Sequence, residues 1–428
     1  METKRFEQLQ ETVYHKQLNN GLNIYVLPKE GFNKTFATFT TKYGAIDNQF
    51  KPFNQEEWLK VPDGIAHFLE HKMFEQPDGV DVFQTFGTQG AMANAFTSFT
   101  ATAYLFSSTS NVEKNLETLV DFVQEPAFTD ENVEKEKGII GQEIRMYDDN
   151  PDWRLYFGLI ENMYQNHPVK IDIAGTVESI AKITKEHLYE CYRTFYHPSN
   201  MVLFVVGPVD PEAIITLIEK NQAGKGFTHK QAIERQYPEE PVSVAHKERS
   251  LPMPVKTPKC LVGYKEKTVH RQGDEMLRHE LSVQLLLELL FGKGTENYKT
   301  LIDEGLIDDS FSFEYTEEYE FAFSAFGGNT EDPDRLAARL QAMVEEAKSQ
   351  PIDEQTVERA RKKRIGSFLK ALNSPEFIAT QFTRYQFNQM DLFSILSTLE
   401  TLTLTELQTV LNEHFDHDCF TQFKVVAK

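Results

Sequence analysis

His67-Phe68-Leu69-Glu70-His71 is the stretch on which the reading of this 428-residue chain turns. Ile65 and Ala66 before it, and Met73 and Phe74 after it, are apolar, and Pro62-Asp63-Gly64 precedes them with Asp63 as a candidate N-cap. The pattern predicts a helix over about 65–75. At 100° per residue, His67, His71 and Glu70 fall at about 0°, 40° and 300°, so both imidazoles and the carboxylate share one arc. Two histidines at i and i+4 are spaced to bind one metal ion between them. A buried helix with three polar side chains on one side must find partners for them, because an unpaired buried polar group is costly. Two satisfied core histidines are the bland alternative, and the five-residue pattern weighs against it.

A zinc ion needs a third protein ligand, and an open fourth position if it is catalytic. The helix expected over 130–149 offers one. With Glu136 at about 0°, Ile140 falls near 40°, Glu143 near 340° and Tyr147 near 20°. Two carboxylates thus share an apolar stripe, which is unfavourable unless they are paired or bound to a cation. An ordinary solvated acidic face is the alternative for this helix taken alone.

Lys plus Arg number 44 and Asp plus Glu 65, a net charge of −21. That balance argues against nucleic acid or an anionic membrane as the main partner. Apolar residues at 40% and charged residues at 25% are an ordinary globular composition, and the length suggests two or three domains. Cys191, Cys260 and Cys419 stand too far apart for a CxxC motif and are too few for a disulfide framework, so a reducing, cytoplasmic setting is expected. Met1 to Glu11 is polar with no apolar h-region, and no run of about 18 apolar residues occurs, so neither a secretory signal nor a membrane span is expected.

Residues 222–254 read as a linker, with Tyr237-Pro238-Glu239-Glu240-Pro241 and Leu251-Pro252-Met253-Pro254 inside it. A similar order of elements lies on each side. Strands are expected over 20–27, 35–43, 92–107 and 200–207 in the first half, with helices at 80–88, 111–124 and 210–220 besides the two above. The second half reads as strands at 259–265, 310–316, 319–326 and 420–427 and helices at 275–291, 332–349, 353–372 and 403–414. The halves look like a diverged repeat. Val133-Glu134-Lys135-Glu136-Lys137 parallels Val357-Glu358-Arg359-Ala360-Arg361, and His67 to His71 parallels Leu285-Leu286-Leu287-Glu288-Leu289. Glu143 falls on Ser367, so one copy keeps chemistry that the other lacks. The expected organisation is a zinc-bearing domain at 1–221, the linker, and a degenerate homologous domain at 255–428.

The inverted HxxEH order, followed about seventy residues later by Glu136-Lys137-Gly138-Ile139-Ile140-Gly141-Gln142-Glu143, resembles the insulinase/pitrilysin family of zinc peptidases. Asn94-Ala95-Phe96-Thr97, His167-Pro168, Ile173-Ala174-Gly175-Thr176 and Tyr196-His197-Pro198-Ser199-Asn200-Met201 extend the resemblance over nearly the whole chain. The chain is most similar to the short two-domain bacterial members, of the size of mitochondrial processing peptidase subunits. The resemblance implies an α+β fold of two homologous α/β-sandwich domains, each a mixed, mostly antiparallel sheet covered by helices, together forming half of a clamshell. It implies one zinc ion per chain on His67, His71 and Glu143, Glu70 as general base, and Glu136 as a supporting catalytic carboxylate. Asn94, Ala95 and Phe96 resemble the edge strand that pairs with an extended peptide substrate.

The implied activity is zinc-dependent endopeptidase cleavage of oligopeptides or unfolded segments in an enclosed chamber. The family's site is completed by a second pair of domains, so a homodimer or a heterodimer with a related chain is implied. Larger members carry a substrate-contacting Arg and Tyr in the later half, and no Arg stands near Tyr319-Glu320-Phe321-Ala322-Phe323. A processing subunit acting on one precursor peptide and a non-catalytic assembly subunit are the alternatives. Gly292-Lys293-Gly294-Thr295 lacks the full phosphate-loop pattern. His414 and His417 beside Asp416 and Asp418 read as a solvated turn, and Arg359 to Arg364 as a solvated helix face.

Overall fold

Thr35–Thr41 and Met201–Gly207 are the strands whose residues are all buried, and they sit next to each other in the middle of a sheet. A strand covered on both faces must be apolar or hydrogen-bonded throughout, which Met-Val-Leu-Phe-Val-Val-Gly satisfies directly. The computed structural model describes residues 1–53, 55–76, 79, 81–227 and 233–428.

The first half of the chain runs β1 (Glu2–Phe6), β2 (Glu11–Gln17), β3 (Asn23–Pro28), β4 (Thr35–Thr41), β5 (Gln49–Phe50), β6 (Leu59–Lys60), α1 (Ile65–Met73), α2 (Val82–Thr88), β7 (Ala91–Thr97) and β8 (Thr102–Ser108). It continues with α3 (Val112–Val123), α4 (Asp130–Asp148), α5 (Pro151–Met163), α6 (Val177–Ile180), α7 (Lys185–Phe195), β9 (Met201–Gly207) and α8 (Pro211–Ala223). The second half runs β10 (Glu248–Met253), β11 (Lys259–Lys265), α9 (Gly273–Phe291), α10 (Glu296–Asp303), β12 (Ser312–Glu317) and β13 (Ala322–Asn329). It ends with α11 (Pro333–Lys348), α12 (Glu354–Ala371), α13 (Pro375–Phe387), α14 (Ile395–Thr401), α15 (Leu404–His414) and β14 (Phe420–Ala427).

Contacts divide the chain into two compact units. The first holds residues 1–144, 171–237 and 371–387. Its main sheet has the order β1-β2-β3-β9-β4-β8-β7, antiparallel except for the β3–β9 pair. Helices α1, α2 and α3 pack on the β7–β8 side, and α13 lies against β4 and β9. The second unit holds residues 145–170, 238–370 and 388–428. Its sheet has the order β10-β14-β11-β13-β12, again antiparallel except for the β10–β14 pair. Helix α5 packs on β14 and β11.

The strand orders β3-β9-β4-β8-β7 and β10-β14-β11-β13-β12 are the same, with the parallel pair in the same place, as a duplication requires. The fold is mixed α+β in both units. The units interleave along the sequence: α5 belongs with the later sheet and α13 with the earlier one.

Four local expectations are corrected. The strand read over 92–107 is a hairpin, β7 and β8, turning at residues 98–101. Ser98 closes that turn, its N–H donating to the Ala101 carbonyl at 2.8 Å and its Oγ accepting from Ala101 N. The segment read as a linker contains β10, an edge strand in which Pro252 is tolerated because one side of an edge is unpaired. Residues 228–232 of that segment, and residue 80 of the helix read over 80–88, lie outside the described residues. Asp63 does not cap α1: its carboxylate accepts from Asn48 Nδ2 at 2.9 Å, and Gly64 is the N-cap.

His414 is the fourth correction. It is buried, with Nδ1 2.9 Å from Glu266 Oε2 and Nε2 2.9 Å from Ser324 Oγ. His279, Tyr315, Glu317 and Arg271 complete this network in the second unit. His417 remains on the exposed turn.

Candidate metal centre

Helix α1 begins where two backbone segments touch. Gly64 has φ +87°, and a Cβ there would lie 2.4 Å from the Ala174 carbonyl oxygen. Gly175 has φ +72°, and its Cβ would lie 2.6 Å from the Asp63 carbonyl oxygen. Only glycine accepts both the left-handed backbone and this approach. Ser179 Oγ donates to the Asp63 carbonyl at 2.8 Å and secures the crossing. The start of α1 is thereby fixed, and all of its residues but His71 are buried.

From that helix His67 and His71 turn toward α4. Their rings lie 4.6 Å apart at 62°. Glu143 of α4 faces both: Oε1 is 3.7 Å from His67 Nε2 and Oε2 is 3.6 Å from His71 Nε2. One donor atom from each of the three lies within 4.8 Å of the others. Separations of 3.6–3.7 Å exceed a hydrogen bond and approach the roughly 3.3–3.4 Å between ligand atoms around a tetrahedral zinc ion with bonds of about 2.0–2.1 Å. Two imidazoles and one carboxylate are also the donor set that suits zinc. His67 Nδ1 is buried without a hydrogen-bond partner. Burial, and then the neighbouring His71, push the His67 imidazole down to about 4, so it is held neutral, the form that donates a lone pair to a metal. The residues present therefore fit a zinc ion.

Glu136 sits one stripe along α4, as the helix phase predicts, and is buried with Ile140. Its Oε1 is 3.1 Å from His71 Nδ1. This contact orients the ring so that Nε2 faces Glu143, the arrangement seen when a carboxylate supports a metal-binding histidine. Burial opposes the charge on Glu136, but the His71 hydrogen bond and the His71 and Lys72 charges outweigh it and hold the carboxyl below its ordinary range. For His71, burial alone lowers basicity; Glu136, Glu70 and Glu143 outweigh it and leave the ring above its ordinary value.

Glu70, also on α1, is not one of the three donors, but it lies near enough to His71 and Glu143 for their charges to act on its carboxyl. It is 8% exposed, and burial raises its carboxyl above the usual range. Thr97 Oγ1 donates to Glu70 Oε2 at 2.6 Å. Thr97 ends β7, the free edge of the sheet. Along that strand Met92, Asn94 and Phe96 are exposed on one face, while Ala93, Ala95 and Thr97 face the α1 side and are half-buried. Asn94 Oδ1 accepts from Ala95 N at 2.9 Å.

The structure thus brings His67, His71, Glu143, Glu70 and Glu136 into one cluster and places Asn94, Ala95 and Phe96 on the adjoining edge. Thr97 and Lys72 also belong to the cluster, and sequence reasoning gave neither a role. Lys72 had a usable signal, since it is a charge inside the apolar run that follows His71. The counterpart positions in the second unit, Leu285, Leu289 and Ser367, offer no donor set, and Glu288 there pairs with Lys363 at 2.5 Å.

An α+β fold of this topology with a two-histidine, one-carboxylate centre beneath a free sheet edge defines a class, that of the inverted-motif metallopeptidase fold. The chain belongs to the insulinase family of peptidases, peptidase family M16. Residues 60–177 match the family "Insulinase (Peptidase family M16)", and residues 182–364 match "Peptidase M16 inactive domain". The chain is 62% identical over 423 residues to the uncharacterized zinc protease YmfH of Bacillus subtilis, covering 99% of this chain and 98% of that one. Among solved structures it is similar to an M16-like peptidase from Alicyclobacillus acidocaldarius, at 42% identity and TM-score 0.94, covering 98% and 99% of the two chains. A protease from Helicobacter pylori shares the fold at 21% identity and TM-score 0.83, over 96% of this chain and 99% of that one. Among the described residues no helix is long and apolar enough to cross a membrane.

Proposed function

We propose that the chain is a zinc-dependent endopeptidase, binding one zinc ion through His67, His71 and Glu143 and cutting extended peptides laid along β7. The observation that carries this reading is the ligand-like spacing of three donors with a buried carboxylate, Glu70, beside them and outside the trio. A zinc ion held there supplies Lewis acidity toward water and toward a substrate carbonyl. Glu70 is the general base: its second oxygen takes a proton from the attacking water and returns it to the leaving amine nitrogen. Thr97 keeps Oε2 of that carboxylate in place, and Glu136 keeps the His71 ring in place.

The substrate adds as a further strand at the β7 edge, where main-chain hydrogen bonds hold it whatever its sequence. Asn94, Ala95 and Phe96 line that edge, and the small side chains of Ala93 and Ala95 leave room on the catalytic side. Oligopeptides and unfolded segments satisfy this geometry, since both can present an extended backbone. Cleavage takes place in a chamber completed by a second copy or a related chain, in keeping with the resemblance and with the lack of an Arg near Tyr319 to Phe323. The three free, buried cysteines accord with work in the cytoplasm.

Cleavage of a fluorogenic peptide by the purified chain tests this. Activity that a chelator abolishes and added zinc restores supports the reading. A folded, zinc-loaded chain that cuts no peptide, alone or with a related chain, is instead a binding or assembly subunit. Mass in solution with and without that related chain separates the homodimer from the heterodimer.

A further inference from the structure

Helix α12 buries only Val357 and Phe368 of its 18 residues. Grooves of about 620 and 600 Å³ run along its flanks, one against Leu402-Thr403-Leu404 and the other against Gly294-Thr295-Glu296, so the helix stands as a ridge. With Val357 at 0°, the arc from about 120° to 240° is exposed throughout and holds Arg359, Lys362, Lys363 and Lys370. No carboxylate of the helix falls in that arc, since Glu354 and Glu358 lie at about 60° and 100°. The helix carries six cations against two carboxylates, a net of +4 in a chain of −21. A merely solvated face in so acidic a chain is expected to mix the signs.

None of Arg359, Lys362 and Lys363 is held in a fully buried pair. Arg359 Nη2 donates to the neutral Thr356 Oγ1 at 2.9 Å. Lys362 lies 3.3 Å from Glu358 and Lys363 lies 2.5 Å from Glu288, and both lysines are more than half exposed. Exposed pairs of this kind contribute little and yield to another carboxylate. Gly366 stands at the middle of the arc, near 180°. Its backbone is not left-handed, and a Cβ there would meet nothing within 4 Å. Glycine inside a helix is unfavourable without such a need, and it suits a surface that another backbone approaches closely. Leu369 beside it, 43% exposed, is the one large apolar side chain on the arc.

A single apolar residue does not hold a folded partner, whose interface needs an apolar core. A nucleic acid would bring its phosphates against the −21 of the whole chain. A short, flexible, acidic peptide segment meets the ridge alone. Arg359 and Lys370 are about 16 Å apart along the axis, a length that about five extended residues span. We propose that α12 is a docking ridge for an extended acidic peptide segment, with carboxylates against Arg359, Lys362, Lys363 and Lys370 and the peptide backbone crossing Gly366. The inference adds a class of peptide to the zinc reading, and it rests on that reading only for the peptide's being a substrate.

The test reads binding and needs no turnover. A fluorescein-labelled ten-residue peptide of alternating Glu and Ala, and its Gln-for-Glu counterpart, are titrated by fluorescence anisotropy into the full chain stripped with a chelator. The Glu peptide is expected to bind, and the Gln peptide to bind at least about tenfold more weakly. Arg359→Gln/Lys362→Gln/Lys370→Gln, which leaves Lys363 on Glu288, is expected to raise the Kd of the Glu peptide at least about tenfold. Gly366→Leu is expected to raise it with every charge in place. All of these substitutions fall at exposed positions, and an undiminished melting temperature checks the fold. Failure of the wild type to bind, equal Kd values for the two peptides, or variants that bind as the wild type does overturn the inference. So does tighter binding of a single-stranded DNA of equal charge, which assigns the ridge to nucleic acid. A fall in mass in solution on making the triple variant also overturns it, because a second copy then covers the ridge. A chain that takes up no zinc and still binds the Glu peptide through these residues overturns the zinc reading and supports this one.

Discussion

Thr97, the last residue of the free edge strand, donates its hydroxyl hydrogen to Glu70 Oε2 at 2.6 Å. The edge strand proposed to receive the substrate and the carboxylate proposed as the general base are thus one connected unit. Removing the hydroxyl with Thr97→Val frees the Glu70 carboxylate to rotate without touching the metal donors. The expected result is a fall in kcat of roughly tenfold with zinc content unchanged, measured by peptide cleavage and elemental analysis. Unchanged kcat removes Thr97 from the machinery.

Gly64 is predicted to be irreplaceable for a reason of space and backbone together. Gly64→Ala places a Cβ 2.4 Å from the Ala174 carbonyl oxygen at a φ of +87°. Strain of about 1–3 kcal/mol from the backbone alone is expected, with a further shift of the α1 start. Denaturant unfolding should show the loss, and zinc should bind more weakly because His67 stands three residues away. A variant with wild-type stability would mean that the crossing of 63–64 with 174–175 can relax freely.

Much of the site was legible because helix periodicity is a local property. The phases of His67, Glu70 and His71 on one helix, and of Glu136 and Glu143 on another, follow from residue numbers alone, and the structure keeps both arcs. What was not legible depends on partners distant in sequence. The apolar faces of α5 and α13 announce burial but not which sheet receives them, so their crossed membership of the two units had no local signal. The β7–β8 turn has no Gly, Pro or Asn at 98–101, and Ser98 does the closing. His414 looked like part of a polar turn because its partners, Glu266 and Ser324, are 148 and 90 residues away.

Glu266 gives the second unit a pH dependence of definite sign. Burial opposes its charge, but His414, His279 and Arg271 outweigh burial and hold its carboxyl at about 2, against an ordinary 4.5. A folded-state value below the unfolded one means that the stabilisation is fully present above about pH 4.5 and is lost as pH falls toward 2. Glu266→Gln should therefore lower stability at pH 7, by roughly 3 kcal/mol for a broken buried pair. The gap from wild type should close between pH 4.5 and pH 2. A gap that stays constant over that range would show that the carboxylate's charge contributes nothing.

Addition of the substrate as a strand predicts sensitivity to its backbone. Methylating a main-chain nitrogen that pairs with β7 removes a donor and adds bulk at the free edge. Peptides carrying this change beside the scissile bond should show a KM at least about tenfold higher. On the chain, Met92 and Phe96 are exposed at 76% and 37% on the face of β7 opposite Thr97 and its partner Glu70. Replacing both with Ser should weaken substrates whose alternate side chains are apolar and spare polar ones. Equal effects on both substrate sets would place those side chains elsewhere.

Zinc content per chain, measured on stripped and reloaded wild type, His67→Ala and Glu70→Gln, tests the central claim most directly. The account predicts one zinc per chain in wild type and in Glu70→Gln, and little or none in His67→Ala. Alongside this, Glu70→Gln should lose peptide cleavage by about 100-fold or more. Folded wild-type protein that takes up no zinc, or a Glu70→Gln variant that cleaves peptide at the wild-type rate, would contradict it.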